Sequence, residues 1–276
     1  MKKRFENQVA LITGAGAGVG YAVARELATQ GASVVLGDRS LPIAQAAGNK
    51  LRSLGARSIP VLLELGRHEQ IAPAMETIVK EFDRLDIVVN CAAAMGTLKP
   101  LLENSMEDWR HIFEINLMGP VLLSQAALPH ILNGKRGGAI VNVLALQAEM
   151  PLPYHAPYAA SKAALASFTR SLAVEFAEQG VRANGIAIGP VLTQSVIDAL
   201  SLDTETAVSD ADARTATLTG KIGRPEEIAR VVCFLASEDA SYLAGAIVPV
   251  DGGRRLSRKA DPFLQALEEK FGPARN

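Results

Sequence analysis

Short runs of mainly apolar residues alternate along this chain with longer stretches in which apolar residues recur every three or four positions. The runs are Val9-Ala10-Leu11-Ile12, Ser33-Val34-Val35-Leu36, Ile59 to Leu63, Ile87 to Val89, Ala139 to Val143, Ala183 to Ala187 and Ala246 to Val250. Each lacks the polar alternation of a half-solvated strand and reads as a strand covered on both faces. The stretch after the first run, through Val23, Leu27 and Ala28 and closed by Gly31, has helical spacing. Strands and helices in alternation imply right-handed crossovers and a parallel sheet. The expected fold class is α/β, a Rossmann-like, doubly wound parallel sheet of seven strands with helices on both faces. Neither linker nor repeat interrupts the series, so residues 1–276 are expected to form a single domain.

Two segments break the alternation. Residues 193–220 are polar and rich in Ala, Thr and Asp, and follow the sixth strand at the carboxyl edge, where such sheets bind ligands. They read either as a substrate lid or as a variable surface insertion. In the C-terminal extension 254–276, Pro262 to Phe271 has Phe263, Leu264, Leu267 and Phe271 on one helical side. That helix would pack on its own domain or on a neighbouring subunit.

Composition narrows the function classes. The chain is 49% hydrophobic and 21% charged, ordinary for a globular protein. A formal net charge of −1 gives no reason to expect a nucleic-acid or anionic-membrane partner. The basic run Arg254, Arg255, Arg258 and Lys259 reads as a solvated tail. Cys91 and Cys233 sit in apolar surroundings and read as small buried hydrophobes, and the scattered histidines lack metal-ligand spacing. Met1-Lys2-Lys3-Arg4 is followed by Phe5-Glu6-Asn7-Gln8 instead of an apolar signal core. Without a run of about 18 apolar residues, no spanning helix is expected, and a cytoplasmic enzyme is.

Chemistry enters at the end of the first strand, in Thr13-Gly14-Ala15-Gly16-Ala17-Gly18-Val19-Gly20. Glycines permit a tight turn and let a pyrophosphate approach peptide N–H groups, and the helix that starts there adds a favourable dipole. The second strand ends at Asp38, where a carboxylate can accept hydrogen bonds from both adenosine ribose hydroxyls and repel a 2′-phosphate. That favours NAD over NADP. Arg39 beside it can pair with a 2′-phosphate, stack on adenine or face solvent.

With these motifs in order the chain resembles the short-chain dehydrogenase/reductase family over roughly residues 5–253. Gly14, Gly18 and Gly20 fit its TGxxxGxG turn, and Tyr158-Ala159-Ala160-Ser161-Lys162 fits its YxxxK motif. Asp86 with Asn90-Cys91-Ala92-Ala93, Asn116 in Ile115-Asn116-Leu117, the stretch Asn184 to Thr193, and Val250-Asp251-Gly252-Gly253 match further motifs. The resemblance implies cofactor contacts from Gly14, Gly18, Val19, Gly20, Asp38, Arg39, Glu64, Leu65, Asn90, Ala92, Tyr158, Lys162, Gly189, Val191 and Thr193. It implies Tyr158, Lys162 and Asn116 as catalytic residues, Asn116 holding a water in a proton relay. It also implies a homotetramer or homodimer acting on a small-molecule substrate. Tyr158 and Lys162 stand four apart on one helix face, and an ammonium there is expected to lower the tyrosine pKa, so that the phenol exchanges a proton while hydride moves.

The chain also departs from the family. The family's serine lies thirteen residues before the tyrosine, and here that position is Ala145. Losing one such donor typically costs about 10²–10³ in rate. Either Gln147, His155 or a substrate group replaces the hydroxyl, or the protein binds the nucleotide without turnover, or Ala145 is an engineered change that traps a complex. Gln147, Met150, Tyr154 and His155 are expected around the substrate, as contacts or as packing. The expected activity is NAD(H)-dependent interconversion of a secondary alcohol and a ketone, with nucleotide binding alone and non-redox lyase or epimerase chemistry as alternatives.

Overall fold

The computed structural model describes residues 3–134, 137–193 and 216–259, together with 264, 265, 268 and 269. Most of the segment read as a lid, 194–215, and Phe263, Leu267 and Phe271 of the C-terminal helix reading lie outside the described residues.

All seven expected strands form. They are β1 (Val9–Thr13), β2 (Ser33–Asp38), β3 (Ser58–Leu62), β4 (Ile87–Asn90), β5 (Gly138–Ala145), β6 (Val181–Ile188) and β7 (Ile247–Val250). They pair in parallel in the order β3-β2-β1-β4-β5-β6-β7. The order reverses beside β1, which opens a crevice at the carboxyl ends of β1 and β4. Pro60 and Pro249 fall on the two edge strands, where a missing N–H removes little of the ladder.

Both faces of the sheet are covered, as the continuous apolar runs require. Ala10 and Ile12 of β1 face α1 (Gly18–Thr29), α2 (Leu41–Ser53) and α7 (Pro225–Ala236), through Val23, Leu27, Leu51, Val232 and Leu235. Val9 and Leu11 face α3 (Ile71–Phe82), α5 (Gly119–Asn133) and α6 (Ala156–Phe176), through Ile78, Leu123, Ile131 and Leu172. Cys233 is fully buried under α7, as its apolar setting suggested.

One helical stretch departs from expectation. From α4 (Met106–Phe113) through a π-helical turn (Glu114–Met118) to α5, residues Met106–Asn133 run on as one helix. By length and composition it is apolar enough to cross a membrane, although no span was expected. Leu123, Ala127, Leu128 and Ile131 are spent against the sheet, which accounts for much of that apolar character.

Candidate active site

A cavity of about 870 Å³ runs along the carboxyl edge of the sheet. Its walls carry Gly14, Gly18, Val19, Gly20, Asp38, Arg39, Glu64, Leu65, Ala92, Gly189, Val191 and Thr193. The same cavity is lined by Ala145, Gln147, Met150, His155, Tyr158 and Lys162. Residues from strands far apart in the chain thus meet on one surface, because a parallel sheet aligns all its carboxyl ends.

The glycine turn is shaped by close approach. Gly14 and Gly18 have φ of +64° and +53°. A Cβ on Gly20 would lie 2.2 Å from the Gly14 carbonyl oxygen, and one on Gly14 would lie 3.0 Å from the Ala92 Cα. Thr13 ties this turn to β4, its Oγ1 accepting from the amides of Cys91 and Ala92 at 3.0 Å each. The first turn of α1 has neither a side-chain cap nor an acidic residue. Its amides and dipole are therefore left to an anion from the cleft, which fits the pyrophosphate of a dinucleotide. At the β2 end, Asp38 accepts from the amides of Gly16 and Ser40, both at 3.0 Å, so the carboxylate is held in place. Arg39 is exposed, and Glu64 is paired with Arg67 at 3.1 Å.

At the other end, Tyr158 and Lys162 share the cleft face of α6. Lys162 Nζ donates to the Val143 carbonyl on β5 at 2.9 Å and lies 5.8 Å from the Tyr158 ring centroid. Burial pushes the Tyr158 phenol above its usual range, with the Cys91 thiol adding to the shift. This reverses the expected lowering by Lys162, because desolvation outweighs an ammonium that is turned toward the strand. Burial also brings Lys162 down to about 8 and pushes Cys91 up to about 12, so Cys91 lines the cleft as an inert thiol. His155 lies edge-on to Tyr158, with ring centroids 6.4 Å apart. Its Nδ1 is 2.8 Å from the Pro153 carbonyl, which can only accept, so the proton sits on Nδ1 and Nε2 carries the lone pair. Burial lowers the His155 pKa, which keeps the ring neutral.

Two expected site residues do not line the cleft. Asn90 Nδ2 donates to Asn142 Oδ1, and Asn142 Nδ2 to Thr169 Oγ1, both at 2.8 Å, in a buried chain joining β4, β5 and α6. The Asn90 side chain is thus an internal strut between β4 and β5. Asn116 is fully buried; its Oδ1 accepts from Ala94 N at 2.8 Å, and its Nδ2 donates to Ala94 O at 2.9 Å and Ser161 Oγ at 3.0 Å. Both amide protons are committed, so its side chain positions the loop after β4 and the first turn of α6.

Conversely, Arg254 was read as part of a solvated tail, yet it is 5% exposed and lines the cleft. Gly252 and Gly253, with φ of +60° and +77°, reverse the chain after β7 and fold Arg254 back over the sheet edge. Adjacent glycines immediately before an arginine were the available signal. Of the segment 216–220, Ala216 and Thr217 are buried, and Leu218 and Thr219 donate to the Gly252 carbonyl. Among the described residues no His, Cys, Asp or Glu cluster suits a metal ion.

Comparison with known proteins matches this geometry. The family described as Enoyl-(Acyl carrier protein) reductase matches residues 14–255. A cis-4-hydroxycyclohexanecarboxylate dehydrogenase of Sinomonas cyclohexanicum is 37% identical over 92% of this chain and 98% of its own. A cyclohexanol dehydrogenase of Acinetobacter sp. (strain SE19) is 33% identical over 91% of this chain and 96% of its own. The crystal structure of L-sorbose reductase from Gluconobacter frateurii, complexed with NADPH and L-sorbose, superposes with a TM-score of 0.86 at 30% identity, covering 92% of this chain and 98% of that one. A nicotinamide-binding fold, an ordered motif set and relatives that oxidise alcohols or reduce carbonyls together establish that this chain is an oxidoreductase of the short-chain dehydrogenase/reductase family.

Proposed function

We propose that the protein interconverts a secondary alcohol and a ketone with NAD(H), Tyr158 exchanging the hydroxyl proton. The observation that carries this reading is the Tyr158–Lys162 face of α6 in the same cleft as the glycine turn and Asp38. A bound nicotinamide supplies the hydride acceptor or donor. In ketone reduction Tyr158 gives its proton to the carbonyl oxygen, and in alcohol oxidation the Tyr158 phenolate, once its own proton has left to solvent, takes the hydroxyl proton. The raised phenol pKa keeps that proton on Tyr158 at neutral pH, ready for the reducing direction. Lys162 supports the phenolate that forms. Relatives acting on cyclohexanol and 4-hydroxycyclohexanecarboxylate make cyclic secondary alcohols the first panel to try. NADH formation followed optically over that panel tests the reading, and NAD binding without NADH formation from any alcohol would sink it.

The fixed Asp38 carboxylate supports NAD as the cofactor, although the L-sorbose reductase structure contains NADPH. Repulsion of a 2′-phosphate and loss of charge-assisted bonds to the ribose lead us to expect NAD to bind about 10- to 100-fold more tightly than NADP. Asp38→Ala should remove most of that preference in parallel titrations; NADP binding more tightly to the unaltered protein would refute it.

Ala145 lines the cleft without a hydroxyl. We assign the missing donor to the Gln147 amide, which can donate to a carbonyl oxygen, whereas neutral His155 presents an acceptor to an alcohol. Ala145→Ser should then change kcat by less than about tenfold, since one donor is already present. A gain near 10²–10³ would favour the second reading, a nucleotide-binding protein whose turnover lapsed with the serine. Exposed apolar positions on the long helices, Val174 on α6 and Met118 ahead of α5, support assembly as a homotetramer, to be measured by light scattering.

A further inference from the structure

A second cavity, of about 380 Å³, adjoins the cleft. Met95, Gly96, His111 and His155 line both and form the boundary between them. One wall of this chamber is held by the loop after β4 and the start of α4. Lys99 Nζ donates to both carboxylate oxygens of Asp108, at 3.1 and 3.0 Å, and Ser105 Oγ accepts from Asp108 N at 3.1 Å. A Cβ on Gly96, whose φ is +73°, would lie 2.7 Å from Ile112 Cδ1, so the loop is pressed against α4. The Lys99–Asp108 pair is neutral as a unit. Among the described residues, Glu107 is the only lining carboxylate or ammonium without an ion pair. The chamber therefore disfavours an anion and offers hydroxyl and amide groups, Thr97 and Asn104 among them, to an uncharged polar molecule.

The opposite wall is a strained turn. Tyr154 follows Pro153 with a φ of +66°, a left-handed conformation that a Cβ disfavours and that glycine would relieve. The turn puts Tyr154 on the chamber wall and seats His155 at the boundary. His155 is 3% exposed, and its one hydrogen bond among the described residues runs from Nδ1 to the Pro153 carbonyl at 2.8 Å. Nε2 thus keeps its lone pair, in a ring whose centroid is 6.4 Å from that of Tyr158. A buried acceptor without a donor is costly, and this one belongs to a residue that lines both spaces from which a donor can come.

We infer that the substrate is a diol or polyol: one carbinol faces Tyr158, a second hydroxyl donates to His155 Nε2, and the rest of the molecule extends into the second chamber. The inference rests on the redox reading for the carbinol at Tyr158. A hydroxyl suits the role because it donates to Nε2, still accepts from the donors of the chamber, and brings no charge into it. A methyl group in its place leaves the acceptor unpaired and cut off from water.

The NADH complex tests this without turnover, since its cofactor is already reduced and an alcohol bound there cannot be oxidised. Calorimetric titration compares each positional isomer of cyclohexanediol with the methylcyclohexanol of the same substitution. At least one diol should bind about 3- to 30-fold more tightly than its methyl counterpart, the range of one hydrogen bond. His155→Phe, which keeps an aromatic ring without the acceptor, should abolish that preference. His155→Leu removes the acceptor in a smaller side chain and serves if the phenylalanine variant melts early. A packing role alone would weaken both members of a pair alike. No diol preferred over its counterpart, or a preference undiminished once the acceptor is removed, would overturn the inference. A preference that depends on His155, with no NADH formed from NAD and any diol, would instead remove the redox reading and leave the hydroxyl site standing. NADH formed without that preference would remove this inference alone.

Discussion

Tyr158→Phe lowers kcat for alcohol oxidation by about 10²–10⁴-fold, the range for loss of a positioned proton-transfer group. The replacement keeps the ring and therefore its edge contact with His155. It also keeps the Tyr158 carbonyl that accepts from Ser161 Oγ at 2.7 Å, so the first turn of α6 stays pinned to Asn116. NAD titration should accordingly still give binding, and the loss should lie in kcat. Steady-state kinetics with a titration of the same preparation check this. Retention of activity within tenfold would move the proton to another group, with the lone pair on His155 Nε2 the first to examine.

Lys162→Met lowers turnover by about 10²–10³-fold, as loss of electrostatic support for a developing anion does, yet it stabilises the protein. Lys162 is 2% exposed, and burial brings its pKa from 10.5 to about 8. A shift of that size corresponds to about 3 kcal/mol against the charged form. The lost bond to the Val143 carbonyl gives back about 1–2 kcal/mol, leaving a net gain near 1–2 kcal/mol, or about 2–8 °C in Tm. The sign with pH follows from linkage. Between about pH 8 and 10.5 the unfolded chain still holds a proton that the folded chain has released, so the Lys162 penalty is full below 8 and fades toward 10.5. Urea melts at pH 7 and pH 10 should show the advantage of Lys162→Met shrinking as pH rises. An advantage that is the same at both would contradict the burial argument.

The strands were legible because each apolar run is covered on both faces, and composition reports that directly. β6 was read as Ala183 to Ala187 and extends to Val181–Ile188, since Arg182 broke the apolar run while its backbone continued the ladder. The glycine turn, Asp38 and the Tyr158–Lys162 face were legible because their spacing follows from local backbone and helix geometry. What was not legible depends on packing across the chain. The Asn90 side chain donates to Asn142, distant in sequence and itself bonded to Thr169, a strut that no local spacing announces. Arg254 looked solvated because a charge run says nothing about the turn that precedes it. The Tyr158 pKa was misjudged because sequence proximity to Lys162 is visible, whereas desolvation is a property of the assembled cleft.

The π-helical turn at Glu114–Met118 holds one residue more than an α-turn would. Removing one codon from this stretch would let it close as an ordinary α-turn, with α4 and α5 kept in place and the residues of the turn shifted around the axis, each α-helical residue advancing about 100°. Asn116 would swing away from Ala94 and Ser161 while every strand kept its own sequence. In genetic terms the site is separated from an ordinary helix by a three-base deletion, a lesion that leaves the reading frame and the sheet intact and removes the brace of α6 alone.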